Sequence, residues 1–269
     1  MAISRVYNLG ELQLRVSPFL QKDGSLLRSL NVERDSIGAW KKRKGYITYL
    51  GTPDNGTVNS LFSFHKDNGT QLFTYRQSGS ILYHSVQGTG AWTTSANGTI
   101  TPNNPIHFGI DKDTLFIGQE GGTTRHTTNG TGFTDTSLAP TEVLGFAEYK
   151  QRMWAIGTGS LATYATEGTP TDWSSDSASI YVSGAGQLSS VFKAQDRLVF
   201  TKNSGLMYRY DGFNITDMAT ENGPSSPYSI ANVEDFRIYM NRMGAFGYGG
   251  GKPELISNPI QRQIYNNGS

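Results

Sequence analysis

Lys41-Lys42-Arg43-Lys44 is the only run of like charge in the chain, and Trp40 and Tyr46 flank it. Four adjacent cations beside aromatic rings can neutralise the phosphates of a nucleic-acid backbone or meet an acidic neighbouring subunit. Such a contact carries no sequence preference and weakens as salt rises. The competing assignment is an edge strand blunted with lysine against sheet-to-sheet association. Residue type alone leaves both open.

The other groups able to do chemistry are dispersed. His65, His84, His107 and His126 contain no pair at metal-ligand spacing such as His-x-x-x-His, and Asp111-Lys112-Asp113 lacks the downstream glycine and glutamate of a calcium loop. His84 and His126 stand 42 residues apart, which suits equivalent places on successive repeats better than shared ligation of zinc. Glu120, Glu142, Glu148, Glu167 and Asp196 are scattered, several of them beside turns where acids serve the local backbone. The Ser-x-Asp-x-Gly-x-Thr-Trp box of sialidase blades is missing, as are a Gly-x-Ser-x-Gly elbow and a Walker loop. No catalytic residue, metal site or cofactor is expected.

Composition narrows the field further. The 269 residues include no cysteine, so disulfides, thiolate zinc sites and a cysteine nucleophile are excluded. Against 23 Lys and Arg stand 22 Asp and Glu, a net charge of +1, so any electrostatic role has to be local. Residues 1–15 lack the basic start, apolar core and cleavage site of a signal peptide, and nowhere do eighteen apolar residues run together. These features predict a soluble protein made in the cytosol, with no membrane partner. The Asn-x-Thr triplets that begin at Asn55, Asn68, Asn97, Asn129 and Asn214 then read as turns rather than glycan sites.

The elements that would position these groups recur about every forty residues. An aromatic capping a small or polar pair appears at Trp92, Phe133, Trp173 and Phe213, at intervals of 41, 40 and 40. Roughly twenty residues ahead of each comes a short run rich in β-branched and aromatic side chains: Leu72–Tyr75, Leu115–Ile117, Met153–Ile156, Leu198–Phe200 and, in a fifth copy, Ile238–Met240. A second strand-like piece follows each run after a turn, at residues 81–83, 124–126, 161–164, 206–209 and 245–248. The runs are too short for helices, and turn formers such as Ser78-Gly79 and Asn203-Ser204-Gly205 bound them. A forty-residue unit of three or four strands has the size of a propeller blade.

The fold expected is therefore all-β, a β-propeller of five or six blades spanning residues 31–265, with an arm at 1–30 and a tail at 266–269. Gly38-Ala39-Trp40 reads as a further copy of the landmark, and Trp40, Trp92, Phe133, Trp173 and Phe213 are expected to pack between blades. A ring of sheets has to be tied shut, so the hairpin at 31–50 is expected to complete a blade with residues beyond about 250.

Two stretches resemble a known family. In residues 29–46, Asn31 opens a strand, an acidic turn at Asp35 to Gly38 follows, and basic residues precede Gly45-Tyr46. Near the C-terminus come Pro227-Tyr228-Ser229-Ile230-Ala231, residues 236–246, the glycines 249–251 and Ile256-Ser257-Asn258-Pro259-Ile260-Gln261. Together these pieces are similar to the tail hub, nozzle and packaged-DNA stabilisation proteins of short-tailed bacteriophages. The resemblance implies a virion protein whose propeller joins a ring, six copies in that family, around the channel through which DNA leaves. Partners implied are copies of itself, other tail or portal proteins and, through Lys41, Lys42, Arg43 and Lys44, non-specific DNA or a neighbouring subunit. Two alternatives fit a propeller as well: a receptor- or glycan-binding adhesin of the virion using its aromatics as a platform, and a glycosidase, which the scattered carboxylates disfavour.

Overall fold

Each central run pairs with the piece that follows it across a tight turn, and four strands connected this way make one antiparallel sheet. The computed structural model describes residues 32–34, 40–42, 57–66, 72–86, 91–174, 178–224, 226–233 and 236–257, the first two segments by their backbone alone. By backbone contacts the chain divides into one unit of Leu50–Glu254 and another of Met1–Tyr49 with Leu255–Ser269. In the second unit, β1 (Val32–Arg34) and β2 (Trp40–Lys42) form a two-stranded antiparallel sheet that aligns Val32 with Lys42 and Arg34 with Trp40.

Five four-stranded sheets follow. The first holds β3 (Val58–His65), β4 (Leu72–Ser78), β5 (Ile81–Val86) and β6 (Thr93–Thr99). The next holds β7 (His107–Asp111), β8 (Thr114–Gly118), β9 (Arg125–Thr127) and β10 (Thr134–Asp135). The third holds β11 (Gly145–Tyr149), β12 (Arg152–Ile156), β13 (Leu161–Tyr164) and β14 (Ala178–Tyr181). The fourth holds β15 (Leu188–Ala194), β16 (Arg197–Lys202), β17 (Met207–Tyr210) and β18 (Ile215–Asp217). The fifth holds β19 (Ala231–Val233), β20 (Phe236–Asn241), β21 (Gly244–Tyr248) and β22 (Glu254–Leu255). Every sheet runs in chain order, and the five are the blades of a β-propeller. The central runs are the second strands and the pieces after them the third.

Three apolar layers bind successive blades. Phe64, Phe73, Tyr75 and Leu82 of the first blade pack with Leu115 and Ile117 of the second and with Ile106. Phe116 on the opposite face of β8 meets Phe146 and Met153 of the third blade. Trp154 and Ile156 then join Leu198, Phe200 and Tyr208 of the fourth. Strand alternation explains the order, because odd and even residues of one second strand face opposite neighbours.

Close approach between blades demands missing side chains at particular places. The ring of Phe146 lies over Gly109 and Gly118, where an added Cβ would fall 2.4 Å from the Phe146 Cβ and 2.9 Å from its Cζ. Gly130, at φ +82°, offers its carbonyl to the buried Tyr75 hydroxyl at 2.6 Å, and its absent Cβ would fall 2.4 Å from the ring of Phe73. Gly130→Ala combines a left-handed backbone, about 1–2 kcal/mol, with overpacking of about 1–3 kcal/mol. A loss of roughly 2–5 kcal/mol in urea unfolding, with an unchanged slope, is the expected result.

The Asn-Gly pairs divide in use. Asn129 Oδ1 accepts hydrogen bonds from the amides of Thr131 and Gly132 at 2.9 and 3.1 Å, a turn as expected. Asn97-Gly98 instead lies inside β6, where the register shifts between Ile81 and Tyr83, and Asn97 sits at φ +52°. It makes a bulge, not a hairpin turn. The proposed tie between the 31–50 hairpin and the chain beyond 250 falls mainly on residues outside the described set.

Candidate functional site at the channel and the fifth blade

The first strands of the five blades stand innermost, and residues from all five line a central cavity of about 500 Å³. Its wall mixes two chemistries. The rings of Phe62 and Phe108 stack in parallel, 4.5 Å apart at an interplanar angle of 3°, beside Leu144 and Val191. Lys193, Glu148 and Arg237 supply the charge. Lys193 Nζ lies 3.2 Å from Glu148 Oε2, both side chains partly exposed, so the pair itself adds little stability.

A short 3-10 turn, Pro227–Ser229, precedes β19 and enters the same wall. Ser226 caps it, accepting from the Tyr228 amide at 3.3 Å. The Tyr228 ring stacks on His107 at 4.8 Å, and its hydroxyl bonds His107 Nε2 at 2.7 Å. This links the start of the fifth blade to the first strand of the second. Burial lowers the His107 pKa from 6.5 to about 4 and raises that of Tyr228 to about 12, helped by the charge of Glu120. Near neutral pH the imidazole is neutral, so Nε2 accepts the tyrosine proton.

His84 and His126 occupy third strands, as their spacing suggested. His84 Nδ1 meets Ser95 Oγ at 3.0 Å and His126 Nδ1 meets Thr136 Oγ1 at 2.9 Å, each hydroxyl 10 or 11 residues on. Burial lowers both pKa values. Among the described residues no three His, Asp or Glu side chains converge as a metal site would require. The scattered acids serve local bonds: Glu142 accepts from Thr158 at 3.0 Å, and Glu167 pairs with Arg152 at 3.2 Å.

The aromatic landmarks each come just before the outermost strand of a blade, and they differ in use. Phe133 is buried and meets Tyr75 edge to face at 5.8 Å, joining blades one and two. Trp173 is buried in the layer with Phe116 and Phe146. Trp92 is half-buried and covers the Arg76 guanidinium at 4.4 Å within its own blade. Phe213 departs from the expected interblade packing and is 86% exposed. Asp211 Oδ1 accepts from the amides of Phe213 and Asn214, both at 2.8 Å, which turns the ring outward beneath Lys150 Nζ at 4.9 Å. The side chains of Trp40, Lys41 and Lys42, and all of Arg43 and Lys44, lie outside the described residues.

Sequence reasoning missed a set of polar bolts. Gln77, near the end of β4, donates to Asn104 O at 2.9 Å, and Gln119 Nε2 donates to Thr101 O at 2.8 Å. At the end of β16 the buried Lys202 donates to Ser160 Oγ, Gly184 O and Gly186 O at 3.1, 2.9 and 3.0 Å. Its three protons are thereby satisfied although burial lowers its pKa. The available signal was one polar residue closing an otherwise apolar second strand.

The fifth blade has one unusual face. Register places Ala231 beside Ile238 and Val233 beside Phe236, then Ile238 beside Gly247 and Met240 beside Ala245. These side chains share one side of the sheet, and each of them is apolar. Val233, Phe236 and Met240 are 47, 57 and 42% exposed, whereas Tyr239, Phe246 and Tyr248 on the other side are buried. That other side packs toward the fourth blade, with Tyr248 against Phe192 at 6.1 Å and the Tyr239 hydroxyl 3.5 Å from Met207 Sδ.

No protein-family model matches the sequence, and no curated protein is significantly similar to it. Solved structures do resemble its backbone. A computationally designed propeller, Ika8, aligns over 84% of this chain and 70% of its own at 15% identity, with a TM-score of 0.51. A chain of the Mitotic Checkpoint Complex aligns over 78% of this chain and 73% of its own at 9% identity, with a TM-score of 0.52. At such identities the likeness concerns the fold alone, and that fold is a β-propeller.

Proposed function

We propose that this chain is a non-catalytic structural subunit of a bacteriophage tail, a hub, nozzle or tail-junction ring that surrounds the DNA exit channel and helps retain or conduct packaged DNA. Its partners are further copies of itself and neighbouring tail or portal proteins. The open apolar face of the fifth blade carries the assembly part of this reading. A soluble monomer rarely leaves a contiguous apolar sheet face in water, and burying such a face against a neighbour is the common reason to keep one. The viral part rests on the resemblance of residues 29–46 and of the segments between 227 and 261.

A rigid propeller suits the role. Its blades are locked by three apolar layers and by side chains such as Lys202 that bridge successive sheets. Light scattering of the full chain is expected to give a discrete oligomer several times its 29.4 kDa mass. Phe236→Glu, which puts a charge on the open face, is expected to shift the assembly at least tenfold toward monomer without lowering the thermal midpoint of the subunit. A wild-type monomer at micromolar concentration, or a Phe236→Glu protein with unchanged mass, would remove the main support. Electron microscopy of purified virions separates a ring at the tail from an adhesin at its periphery.

A further inference from the structure

A half-open cleft of about 380 Å³ lies between the first two blades. Its floor is Ile106 and Ile117, which are 4 and 3% exposed, with Ile100 and Pro102 beside them. One wall is the chain leaving β6, and the other is the turn through Gln119, Gly121, Gly122 and Thr123 that joins β8 to β9. Gln119 holds the two walls together, because its side chain donates to the carbonyls of Thr101 and Asn104 and accepts from the Thr101 amide at 2.7 Å. The cleft is thus shaped by the fold itself.

Arg125 is the one charged residue in its lining. Its Nε donates to Asp135 Oδ1 at 2.8 Å, and its Nη1 donates to the carbonyls of Asn97 and Thr99. These bonds use the Nε proton and both protons of Nη1, so Nη2 alone is left without a hydrogen-bond partner among the described residues. Asp135 answers the charge of the guanidinium, and nothing answers this last donor. An apolar floor beside a neutralised guanidinium with one spare N–H group selects an uncharged ligand that carries a single accepting oxygen on an apolar body. A carboxylate would give up hydration at two oxygens to meet one donor next to the Asp135 charge, and a hydrocarbon would leave Nη2 without an acceptor.

We propose that this cleft is a binding site for a small uncharged amide with an apolar body. Ile100, Pro102, Ile106 and Ile117 receive the body, and Arg125 Nη2 donates to the carbonyl oxygen. The volume falls within the range that takes a small organic molecule. The proposal is independent of tail assembly, since the cleft and the open face of the fifth blade are separate surfaces.

The test uses phenylacetamide, titrated into the full chain with its isoleucine δ1 methyls labelled for nuclear magnetic resonance. The signals of Ile100, Ile106 and Ile117 are expected to shift along one saturable curve, while those of Ile180 in the third blade and Ile238 in the fifth stay in place. Phenylacetate, of the same shape but anionic, and ethylbenzene, which has no acceptor, are each expected to bind at least fivefold more weakly. Gly122→Leu places a side chain in the cleft, with its Cβ in ordinary contact 3.5 Å from Gln119, and is expected to fold normally and weaken the amide at least tenfold. Arg125→Lys keeps a cation beside Asp135 but removes Nη2, and is expected to weaken the amide about tenfold and ethylbenzene little, with circular dichroism confirming the fold. No shift at millimolar amide, or shifts confined to methyls outside the cleft, would overturn the proposal. So would an affinity unchanged in Gly122→Leu, or phenylacetate binding as tightly as the amide.

Discussion

Trp154→Ala is expected to be among the most damaging single substitutions in this chain, costing about 3–5 kcal/mol of folding free energy. The indole is 2% exposed at the centre of the layer between the third and fourth blades. It meets Tyr164, its cross-strand partner, at a centroid distance of 4.4 Å, and Tyr210 and Phe200 edge-on at 5.3 and 6.0 Å. Its Nε1 donates to the carbonyl of Tyr149 at 3.3 Å. Truncation removes the hydrocarbon, leaves a cavity between two sheets that cannot close on each other, and takes the donor from a buried carbonyl. A domain of this size has about 5–15 kcal/mol in total, so the loss is a large fraction. A fall of on the order of 10 °C in the thermal midpoint is expected, at about 2–4 °C per kcal/mol. Trp154→Phe keeps most of the apolar contact and forfeits the donor, so about a third of that loss is expected. A Trp154→Ala protein within 1 kcal/mol of wild type would mean that the blades are not coupled through this layer.

The same tryptophan shows which parts of the fold were legible. Trp154 lies in the run Met153–Ile156, whose apolar character on both faces betrays a strand covered on both sides, and all five such runs are second strands. The forty-residue period was visible because every blade needs that strand once. The inner hairpin turns were less legible. Lys150 and Gln151 take φ values of +50° and +57° between β11 and β12, and Gln195 takes +52° between β15 and β16, in places where Asn-Gly would have announced a turn. Here pairing between the flanking strands imposes the backbone that the turn residues do not themselves favour. Phe213 failed for the opposite reason. Its spacing matched the other landmarks, yet the local bond from Asp211 to two amides decides where the ring points, and periodicity does not record it.

The channel was invisible to motif reading because its residues come mainly from the first strands of five blades about forty residues apart. Glu148 and Lys193 are 45 residues apart in sequence and 3.2 Å apart in space, and each taken singly looks like an ordinary surface charge. Only the ring brings them together. The open face of the fifth blade was partly legible, since Val233, Phe236, Ile238 and Met240 alternate as an apolar stripe. What the pattern lacked was the information that its neighbour in the sheet contributes Ala245 and Gly247, which flattens the surface.

Stability is expected to fall as pH drops from about 6.5 to 4, with His107 as the largest contributor. The direction follows from burial. In the unfolded chain the imidazole takes a proton near its ordinary value of 6.5, whereas in the folded state burial delays protonation to about 4. Above pH 6.5 both states are neutral and the histidine has no pH-linked effect. Between 6.5 and 4 the unfolded state binds the proton and the folded state does not, so unfolding is favoured progressively. Below 4 both are protonated and the loss stops growing. At 1.36 kcal/mol per pKa unit the full loss is about 3 kcal/mol. His84 and His126 are shifted the same way by burial and add to the fall in that window. Asp211, lowered mainly by the amides of Asn214 and Phe213, acts in the acid range below its ordinary value of 3.8 and is separable from the histidines. Urea unfolding at pH 7.5, 5.5 and 4 is expected to show the decline, and His107→Gln, whose amide oxygen still accepts from Tyr228, to remove the greater part of it. Tyr228→Phe keeps the ring over His107 while deleting the donor, so it is expected to retain the pH slope at a lower overall stability. If His107→Gln leaves the slope unchanged, the imidazole titrates freely in the folded protein and does not sit buried beneath Tyr228 at the wall of the channel.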